Sequence, residues 1–129
     1  MKKILLSLTV LVGVVACNSK PEGFVLNGTL TGDVENGTQI FIRKIDENNQ
    51  PYDIDTTTVE NGKFTISGPV DSPDLMYVFI DKVQGYTPVV AEKGEIELTA
   101  QKDSLNFAKV KGTEQNNIFF NYLSESRAL

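Results

Sequence analysis

The sequence predicts an all-β domain over residues 24–112, an antiparallel β-sandwich or small barrel of seven to eight short strands, with a C-terminal helix over residues 113–129. Short stretches of alternating or β-branched residues recur about every ten residues from Phe24 onwards, and turn residues separate them. Only residues 113–129 show helical spacing. The length of 129 residues, with 40% hydrophobic and 22% charged side chains, fits one ordinary globular domain.

The strands are predicted from alternation and from the residues that end them. Asn36-Gly37 and Asn61-Gly62 are predicted hairpin dipeptides, because both positions of each accept a positive φ. Pro88 cannot donate to a ladder, so its strand is predicted to lie at a sheet edge. The predicted strands cover residues 24–30, 39–45, 54–59, 64–67, 75–80, 86–92, 95–99 and 106–111.

The strand Leu75–Ile80 differs from the others because it is apolar on both faces. A strand of this kind is covered on two sides, which predicts a central position under the opposing sheet and under a loop or the terminal helix. The alternative is that one face docks a partner module. Tyr77 and Phe79 are the candidate docking residues on this strand.

The C-terminal segment 113–129 is predicted to be a helix. Thr113 is a suitable N-cap, and an acidic residue follows it in the first turn. Ile118, Phe119, Tyr122 and Leu123 fall at helical spacing and predict one apolar stripe. Phe119 and Tyr122 are therefore candidate docking residues as well. No stop signal follows the stripe, so the helix is interpreted either as a linker to a further module or as a truncated reading frame.

The N-terminus has the pattern of a secretory signal. Lys2 and Lys3 precede the apolar stretch Ile4–Val15, whose helix would be about 18 Å long, too short for a hydrocarbon core of about 30 Å. Residues 1–16 are therefore predicted to be a signal peptide and are excluded from the fold argument.

The only cysteine of the chain directly follows this segment. Val14-Val15-Ala16-Cys17 resembles a bacterial lipobox, which predicts cleavage between Ala16 and Cys17 and lipidation of Cys17. A chance cysteine at an ordinary cleavage site is the alternative. Residues 17–23 are small and polar and predict a tether. Asn18 stands where an Asp would retain a lipoprotein at the inner membrane in the enterobacterial scheme, so an outer-membrane location facing the periplasm is expected.

Composition excludes several classes of chemistry. The chain has no His and one Cys, which excludes Ser-His and Cys-His nucleophile pairs, His-ligated metals and a Cys-x-x-Cys pair. The net charge of −5 and the sequence pI near 4.7 argue against a nucleic-acid surface. No glycine-rich phosphate loop is present. We therefore expect no catalytic residues, no metal and no cofactor.

Two pairs of carboxylates are the remaining candidates for chemistry. Asp53 and Asp55 are two residues apart on a predicted strand and should share a face, as should Glu95 and Glu97. Such pairs could bind a hard cation or act as acid and base in a hydrolase. A solvated strand face is the more common reason for this pattern and is the interpretation we prefer.

Short modification motifs and aromatic residues give weaker signals. Asn27-Gly28-Thr29 and Asn36-Gly37-Thr38 match the N-glycosylation pattern but are interpreted as turns. Asp103-Ser104-Leu105 and Asp55-Thr56-Thr57 resemble an O-glycosylation signal of Bacteroidetes envelopes, which leaves glycosylation at Ser104 or Thr56 open. The four Tyr and seven Phe residues could build a carbohydrate platform, although core packing is preferred without any Trp.

Four segments in a fixed order carry a family resemblance: FVLNGTLTG from Phe24, DTTTVENGKFTISG from Asp55, PVVAEKGEIEL from Pro88 and VKGT from Val110. Together they resemble the small β domain of unknown function at the N-terminus of Bacteroidetes thioredoxin-like (thiol:disulfide interchange) lipoproteins, over about residues 24–123. In that family a helix and a thioredoxin module with the catalytic Cys-x-x-Cys follow the β domain. This chain contains no such pair, so the resemblance implies location and an accessory role but no redox activity.

These observations predict a lipid-anchored accessory or binding domain of the cell envelope that is not catalytic by itself. The expected partners are the membrane, through the N-terminal lipid, and a thioredoxin-like module or envelope redox partner. No nucleic-acid partner is expected. The alternative is a stand-alone envelope lipoprotein that binds a glycan or a peptide.

Overall fold

A computed structural model describes residues 23–127 of the chain. Within this range no helix is both long enough and apolar enough to cross a membrane. A 3-10 turn, Leu105–Phe107, precedes the last strand. The other elements are β1 (Gly23–Thr31), β2 (Gln39–Ile45), β3 (Pro51–Thr58), β4 (Lys63–Pro69), β5 (Asp74–Ile80), β6 (Thr87–Ala91), β7 (Gly94–Gln101), β8 (Lys109–Lys111) and α1 (Glu114–Arg127).

The eight strands form two four-stranded sheets. Sheet A has the order β4-β1-β7-β8, and sheet B has the order β3-β2-β5-β6. The pair β1/β7 is parallel, and the other neighbours are antiparallel. The predicted sandwich is therefore confirmed, and the barrel alternative is wrong because the two sheets do not close into one. The predicted edge position of the Pro88 strand is also confirmed, because β6 ends sheet B.

The core lies between the inner faces of the two sheets. In β1, β4 and β7 every second residue is buried, and Leu26 and Ile96 have no exposed surface. Sheet B contributes Ile40, Ile42 and Met76, which are likewise fully buried. The period of two explains this pattern, because successive strand residues point to opposite faces. Full burial of each such side chain contributes about 1.5–3 kcal/mol of hydrophobic free energy.

The two Asn-Gly dipeptides behave differently. Asn61 and Gly62 have φ values of 53° and 75°, and Glu60 and Lys63 exchange both backbone hydrogen bonds, so the hairpin turn is confirmed there. Beyond that pair, β3 and β4 separate into different sheets. The hairpin predicted at Asn36-Gly37 is wrong, because β1 and β2 lie in different sheets and the chain crosses between them.

Three further predictions need correction. The third strand begins at Pro51 rather than at residue 54, because Pro51 still pairs with Ile45 of β2. The last strand is only Lys109–Lys111, since residues 105–107 form the 3-10 turn that buries Leu105. Asn27-Gly28-Thr29 lies inside β1 and is not a turn. Gly28 is required there by packing, because a Cβ would lie 2.0 Å from the Phe64 ring.

The predictions for the N-terminus fall outside the part of the chain that the structure describes. They are the signal peptide 1–16, the cleavage site at Ala16, the lipidated Cys17 and the tether up to residue 22. Gly23, the first described residue, begins β1 and pairs with Pro69 at the end of β4.

Candidate functional site

The outer faces of the two sheets have opposite character. The outer face of sheet A is polar apart from Val25 and Pro69, as expected for a sheet with one solvated side. On sheet B the corresponding positions of β2 and β5 carry aromatic, aliphatic and guanidinium groups. The outer residues of sheet A include Asn27, Thr29, Lys63, Thr65, Ser67, Glu95, Glu97, Thr99, Gln101, Lys109 and Lys111.

We call the cluster on the outside of sheet B the aromatic face: Phe41, Arg43, Tyr77, Phe79 and Tyr86. Phe41 lies opposite Phe79 in the ladder, and Arg43 lies opposite Tyr77. Tyr86, from the loop before β6, packs edge-on against Tyr77 at 5.3 Å between ring centroids and tilted against Phe79 at 5.5 Å. Both separations are those of favourable aromatic pairs.

Arg43 links the aromatic face to the edge strand β3. Its guanidinium carbon lies 4.9 Å from the centre of the Phe41 ring and 4.6 Å from that of Phe79. Its Nε donates a 2.6 Å hydrogen bond to Asp53 Oδ1. The cation is attracted by both ring faces and by the carboxylate, so three partners hold the guanidinium in place.

The structure places the predicted docking residues of β5 on this face. Tyr77 and Phe79 are half-buried, and β5 is central in sheet B, as predicted. The predicted cover by a loop is present in the form of Tyr86, which itself remains 46% exposed. Leu75 on the same face is 38% exposed. The face is therefore partly shielded but still accessible.

The predicted stripe on α1 divides into two parts. Phe119 and Leu123 are half-buried and, with Phe120, line a narrow crevice against β6, β8 and the 3-10 turn. Ile118 and Tyr122 are 56% and 64% exposed. The helix face that packs on the domain contains residues 116, 119, 120 and 123. Because its first residue is the polar Asn116, the pattern of apolar residues alone does not predict this face. Phe119 thus faces the domain, and Tyr122 faces away from it.

Sequence reasoning missed Asn116, which is 1% exposed. Its Oδ1 accepts a 2.8 Å hydrogen bond from the Val90 N–H, and its Nδ2 donates to Val90 O at 2.8 Å and to Thr113 Oγ1 at 2.7 Å. One amide side chain thus pairs with both backbone groups of Val90 at the edge of sheet B, as a neighbouring strand would. No signal in the hydrophobic pattern could have identified a buried polar residue.

The start of α1 is also stabilised by a side chain from outside the helix. Thr113 directly precedes the helix, as predicted. The first-turn amides of Gln115 and Asn116, however, donate to Glu92 Oε2 at 2.8 and 3.2 Å. A carboxylate is favourable at a helix N-terminus because it satisfies free N–H groups and interacts well with the helix dipole. Glu92 therefore joins the end of β6 to α1.

The two carboxylate pairs have different outcomes. A β-bulge at Ile54 shifts the register, so Asp53 pairs with Arg43 and Asp55 pairs with Ile42, whose side chains point to opposite faces. The prediction that Asp53 and Asp55 share a face is therefore wrong. Glu95 and Glu97 share the exposed face of β7, as predicted. Among residues 23–127 no group of three or more acidic, His or Cys side chains could hold a metal ion.

The residues of the two O-glycosylation motifs lie at different depths. Thr56 is exposed on β3, and Ser104 is half-buried before the 3-10 turn. Of the N-glycosylation motifs, Asn36 is engaged in structure, because its Oδ1 accepts a 2.8 Å hydrogen bond from the Asn61 N–H. Asn27 Oδ1 likewise accepts from Thr65 Oγ1 at 3.0 Å.

Comparisons with known proteins give one match. The family model described as "Domain of unknown function (DUF4369)" matches residues 24–119, which include all eight strands, β1 lacking only its first residue, and the first turns of α1. No curated protein and no solved structure matches the chain. The match covers most of the sequence, and the chain belongs to the DUF4369 family.

Proposed function

We propose that this protein is a lipid-anchored accessory domain of the cell envelope that binds a partner through the aromatic face and catalyses no reaction itself. The observation that carries the proposal is the contrast between the outer faces. Sheet A has the polar exterior that a solvated sheet needs, whereas sheet B exposes Tyr86 and Leu75 beside a stacked arginine.

The composition of the aromatic face is that of an interface centre. Aromatic residues and arginine are enriched in interfaces and among the residues that dominate binding energy. Arg43 is fixed by two rings and by Asp53, so little side-chain entropy would be lost when a partner covers it. The rings of Tyr77 and Phe79 are held by Tyr86 in the same way.

We further propose that Cys17 carries the lipid and that the domain faces the periplasm from the outer membrane. Each buried methylene contributes about 0.8 kcal/mol, so several acyl chains would make release negligible. Five residues lie between Cys17 and Gly23, which limits an extended tether to about 20 Å. The support is the sequence Val14-Val15-Ala16-Cys17 and the polar residues that follow it.

The proposed partner is a thioredoxin-like module or another envelope redox protein. The support is the resemblance of the β domain to those that precede such modules. The chain contributes no thiol pair of its own, because its one cysteine is Cys17 and it contains no histidine. In this arrangement the partner supplies the chemistry, and the β domain supplies location and orientation.

The docking proposal is tested by Phe79→Asp with Thr99→Asp as the matched control. Both residues lie on the outer face of a central strand, one in sheet B and one in sheet A. Copurification of a redox partner from solubilised envelopes should fall strongly with Phe79→Asp and be unchanged with Thr99→Asp. Equal recovery with both variants, at equal thermal stability, would show that the aromatic face is not the docking surface.

The anchoring proposal has a separate test. Cys17→Ser should move the protein from the membrane fraction to the soluble fraction, while Ser19→Ala, two residues away, should leave it in the membrane. Persistence of the Cys17→Ser variant in the membrane fraction would contradict lipid anchoring.

A second candidate function is binding of a glycan or a peptide on the same face. It is favoured by the exposed ring of Tyr86, which packs against Phe79, and by the Arg43–Asp53 pair, whose guanidinium lies over the same Phe79 ring. Aromatic rings with a donor and an acceptor on one face suit a ligand with apolar and polar edges. A ligand present at 100 times its Kd would stabilise the domain by about 2.7 kcal/mol. A thermal-shift screen of envelope and dietary polysaccharides measures this stabilisation. If no polysaccharide raises the melting temperature, a glycan ligand is ruled out.

A further inference from the structure

A separate surface lies at the end of the sandwich where β1 begins and β4 ends. A cleft of about 580 Å³ opens there between the two sheets, under the loop that joins β4 to β5. Its floor is formed by Phe24, Met76 and Ala91, all of which are buried core residues. Ile54, which is 41% exposed, forms an apolar wall. The volume is within the range of about 300–1,000 Å³ that small ligands occupy.

The inward-facing positions of sheet B change character at this end. Ile40 and Ile42 point into the core from β2, but the next inward position is Lys44. On β5 the buried Met76 is likewise followed, towards the strand start, by Asp74. Asp55 of β3 lies on the same side, opposite Ile42. Charged groups therefore occupy core-facing positions only where the sheets open.

The β-bulge at Ile54 creates this arrangement. Without the extra residue, Asp53 and Asp55 would point to the same face. With it, Asp53 bonds to Arg43 on the outer surface and Asp55 lines the cleft. Bulges are known to re-aim side chains next to binding sites.

The charges in the cleft do not balance. Lys44 Nζ lies 2.7 Å from Asp74 Oδ2, and this hydrogen bond, together with the charge of Lys44, lowers the pKa of Asp74 and keeps it ionised. Asp55 accepts one hydrogen bond, from the Thr56 N–H. No ion pair within residues 23–127 includes Asp55 or Asp71, which also lines the cleft. Among the described residues, Asp55 and Asp71 thus line the cleft without an ion-pair partner, and Lys93 lines the neighbouring cleft on the other side of Asp71.

We propose that this cleft binds the side chain of a lysine or arginine in an extended peptide. The ammonium or guanidinium group would lie between Asp55 and Asp71, and its aliphatic stem would pack on Phe24 and Ile54. A charge-assisted hydrogen bond to a carboxylate is among the stronger polar contacts in proteins. A metal ion fits less well, because no group of carboxylates in the described part of the chain is close enough to hold one.

The test uses the full-length chain purified from cells and two tetrapeptide probes, Ac-Ala-Lys-Leu-Ala-NH2 and the same peptide with the lysine Nε-acetylated. Binding is followed by amide chemical shifts in an NMR titration up to about 1 mM peptide, a concentration that half-saturates a site with a Kd of about 1 mM. The charged peptide should shift resonances of residues 54–55 and 68–76. The acetylated peptide should bind at least about tenfold more weakly.

Asp55→Asn and the control variant Asp33→Asn test the position of the charge. Asp55→Asn should weaken binding about tenfold, while Asp33→Asn, in the loop after β1 and outside the cleft, should change it less than about twofold. Both residues are exposed, so neither change should unfold the domain. Higher salt should weaken the interaction.

Equal binding of the two peptides, equal effects of the two variants or no shift at 1 mM would each overturn the proposal. The tether contains its own lysine, Lys20, three residues before Gly23. If Lys20→Gln raises the peptide affinity more than about fivefold, the tether is the natural occupant and an external peptide is not. These outcomes are independent of the aromatic face, because none of its residues lines the cleft.

Discussion

The outer faces of sheet A and sheet B differ although their inner faces are built alike. Both inner faces carry buried apolar side chains, which in sheet B give way to Lys44, Asp55 and Asp74 at one end. The outer face of sheet A then follows the usual alternation, with Thr, Glu and Lys outside, whereas β5 in sheet B has apolar residues on both sides. A sandwich needs only one apolar face on each sheet. The apolar outer face of sheet B is therefore not required to hold the two sheets together.

Contacts among its own residues explain how the aromatic face is ordered although it is not part of the buried core. Tyr86 covers Tyr77 and Phe79 only in part, and Arg43 satisfies its charge through Asp53 and two rings. Each group has a partner, yet the surface stays accessible. A face that is organised in the free protein loses little freedom when a partner binds.

The largest expected effects test the equivalence of the inner faces. Leu98→Ala in sheet A and Ile42→Ala in sheet B remove side chains of which 1% and 0% are exposed. Each should lower the free energy of unfolding by about 2–5 kcal/mol, from lost burial and a residual cavity. Urea denaturation measures both. A cost below about 1 kcal/mol for either variant would show that its sheet does not share the common core.

The next effect concerns the edge of sheet B that α1 covers. Asn116→Leu removes both hydrogen bonds to Val90. The free energy of unfolding should fall by about 1–3 kcal/mol, because two partly buried backbone groups lose their partner. Hydrogen exchange at the Val90 amide should accelerate. Asn121→Leu, at an exposed position of the same helix, is the control and should change stability by less than about 0.5 kcal/mol. Equal effects would mean that Asn116 does not hold the helix to the edge.

The outer faces themselves should differ by a smaller amount. Phe79→Ala should destabilise the domain by about 1 kcal/mol through lost contacts with Tyr86 and Arg43. Thr99→Ala on sheet A should change stability by less than about 0.5 kcal/mol. Denaturation midpoints measured side by side decide this. If Phe79→Ala cost as much as the core variants, the aromatic face would be a second core and not a surface.

The smallest expected effect is the difference in stability that the ion pairs of the two sheets contribute at neutral and at low pH. The pKa of Asp74 in the folded protein lies below its ordinary value of 3.8, because Lys44 hydrogen-bonds to its carboxylate. The pair therefore adds stability above pH 3.8 and loses it as the pH falls through the lower folded-state pKa. Lys44→Gln should cost less than about 1 kcal/mol at pH 7, since Asp74 is largely exposed, and less at pH 2 than at pH 7.

The corresponding pair of sheet A is Lys111–Glu97, at 3.8 Å with both side chains more than half exposed. Lys111→Gln should have no measurable effect at either pH. A larger effect from Lys111→Gln than from Lys44→Gln would contradict this ranking.

Local signals in the sequence were sufficient for the features that depend on neighbouring residues. Alternation located the strands, Asn61-Gly62 located the one tight turn with two positive φ values, and Pro88 marked the edge strand. The parallel pairing of β1 with β7 joins segments about seventy residues apart, and nothing local encodes it. Membership of two sheets, which made Asn36-Gly37 a crossing and not a hairpin, depends on the same long-range contacts.

The candidate sites were predicted less completely for a similar reason. Tyr77 and Phe79 stood out because one strand was apolar on both faces. Tyr86 and Arg43 did not, since their role depends on the contacts between β2, β5 and a loop. The bulge at Ile54 follows from the register of two strands, so spacing alone placed Asp53 and Asp55 on one face.

The measurement that most directly tests the role of the aromatic face is site-specific photo-crosslinking in living cells. Tyr77 and, in a second strain, Thr99 are replaced by benzoylphenylalanine, and the adducts are identified by mass spectrometry. We expect an adduct with a thioredoxin-like module from position 77 and none from position 99. The same adducts at equal yield from both positions, or no thioredoxin-like module from position 77, would contradict it.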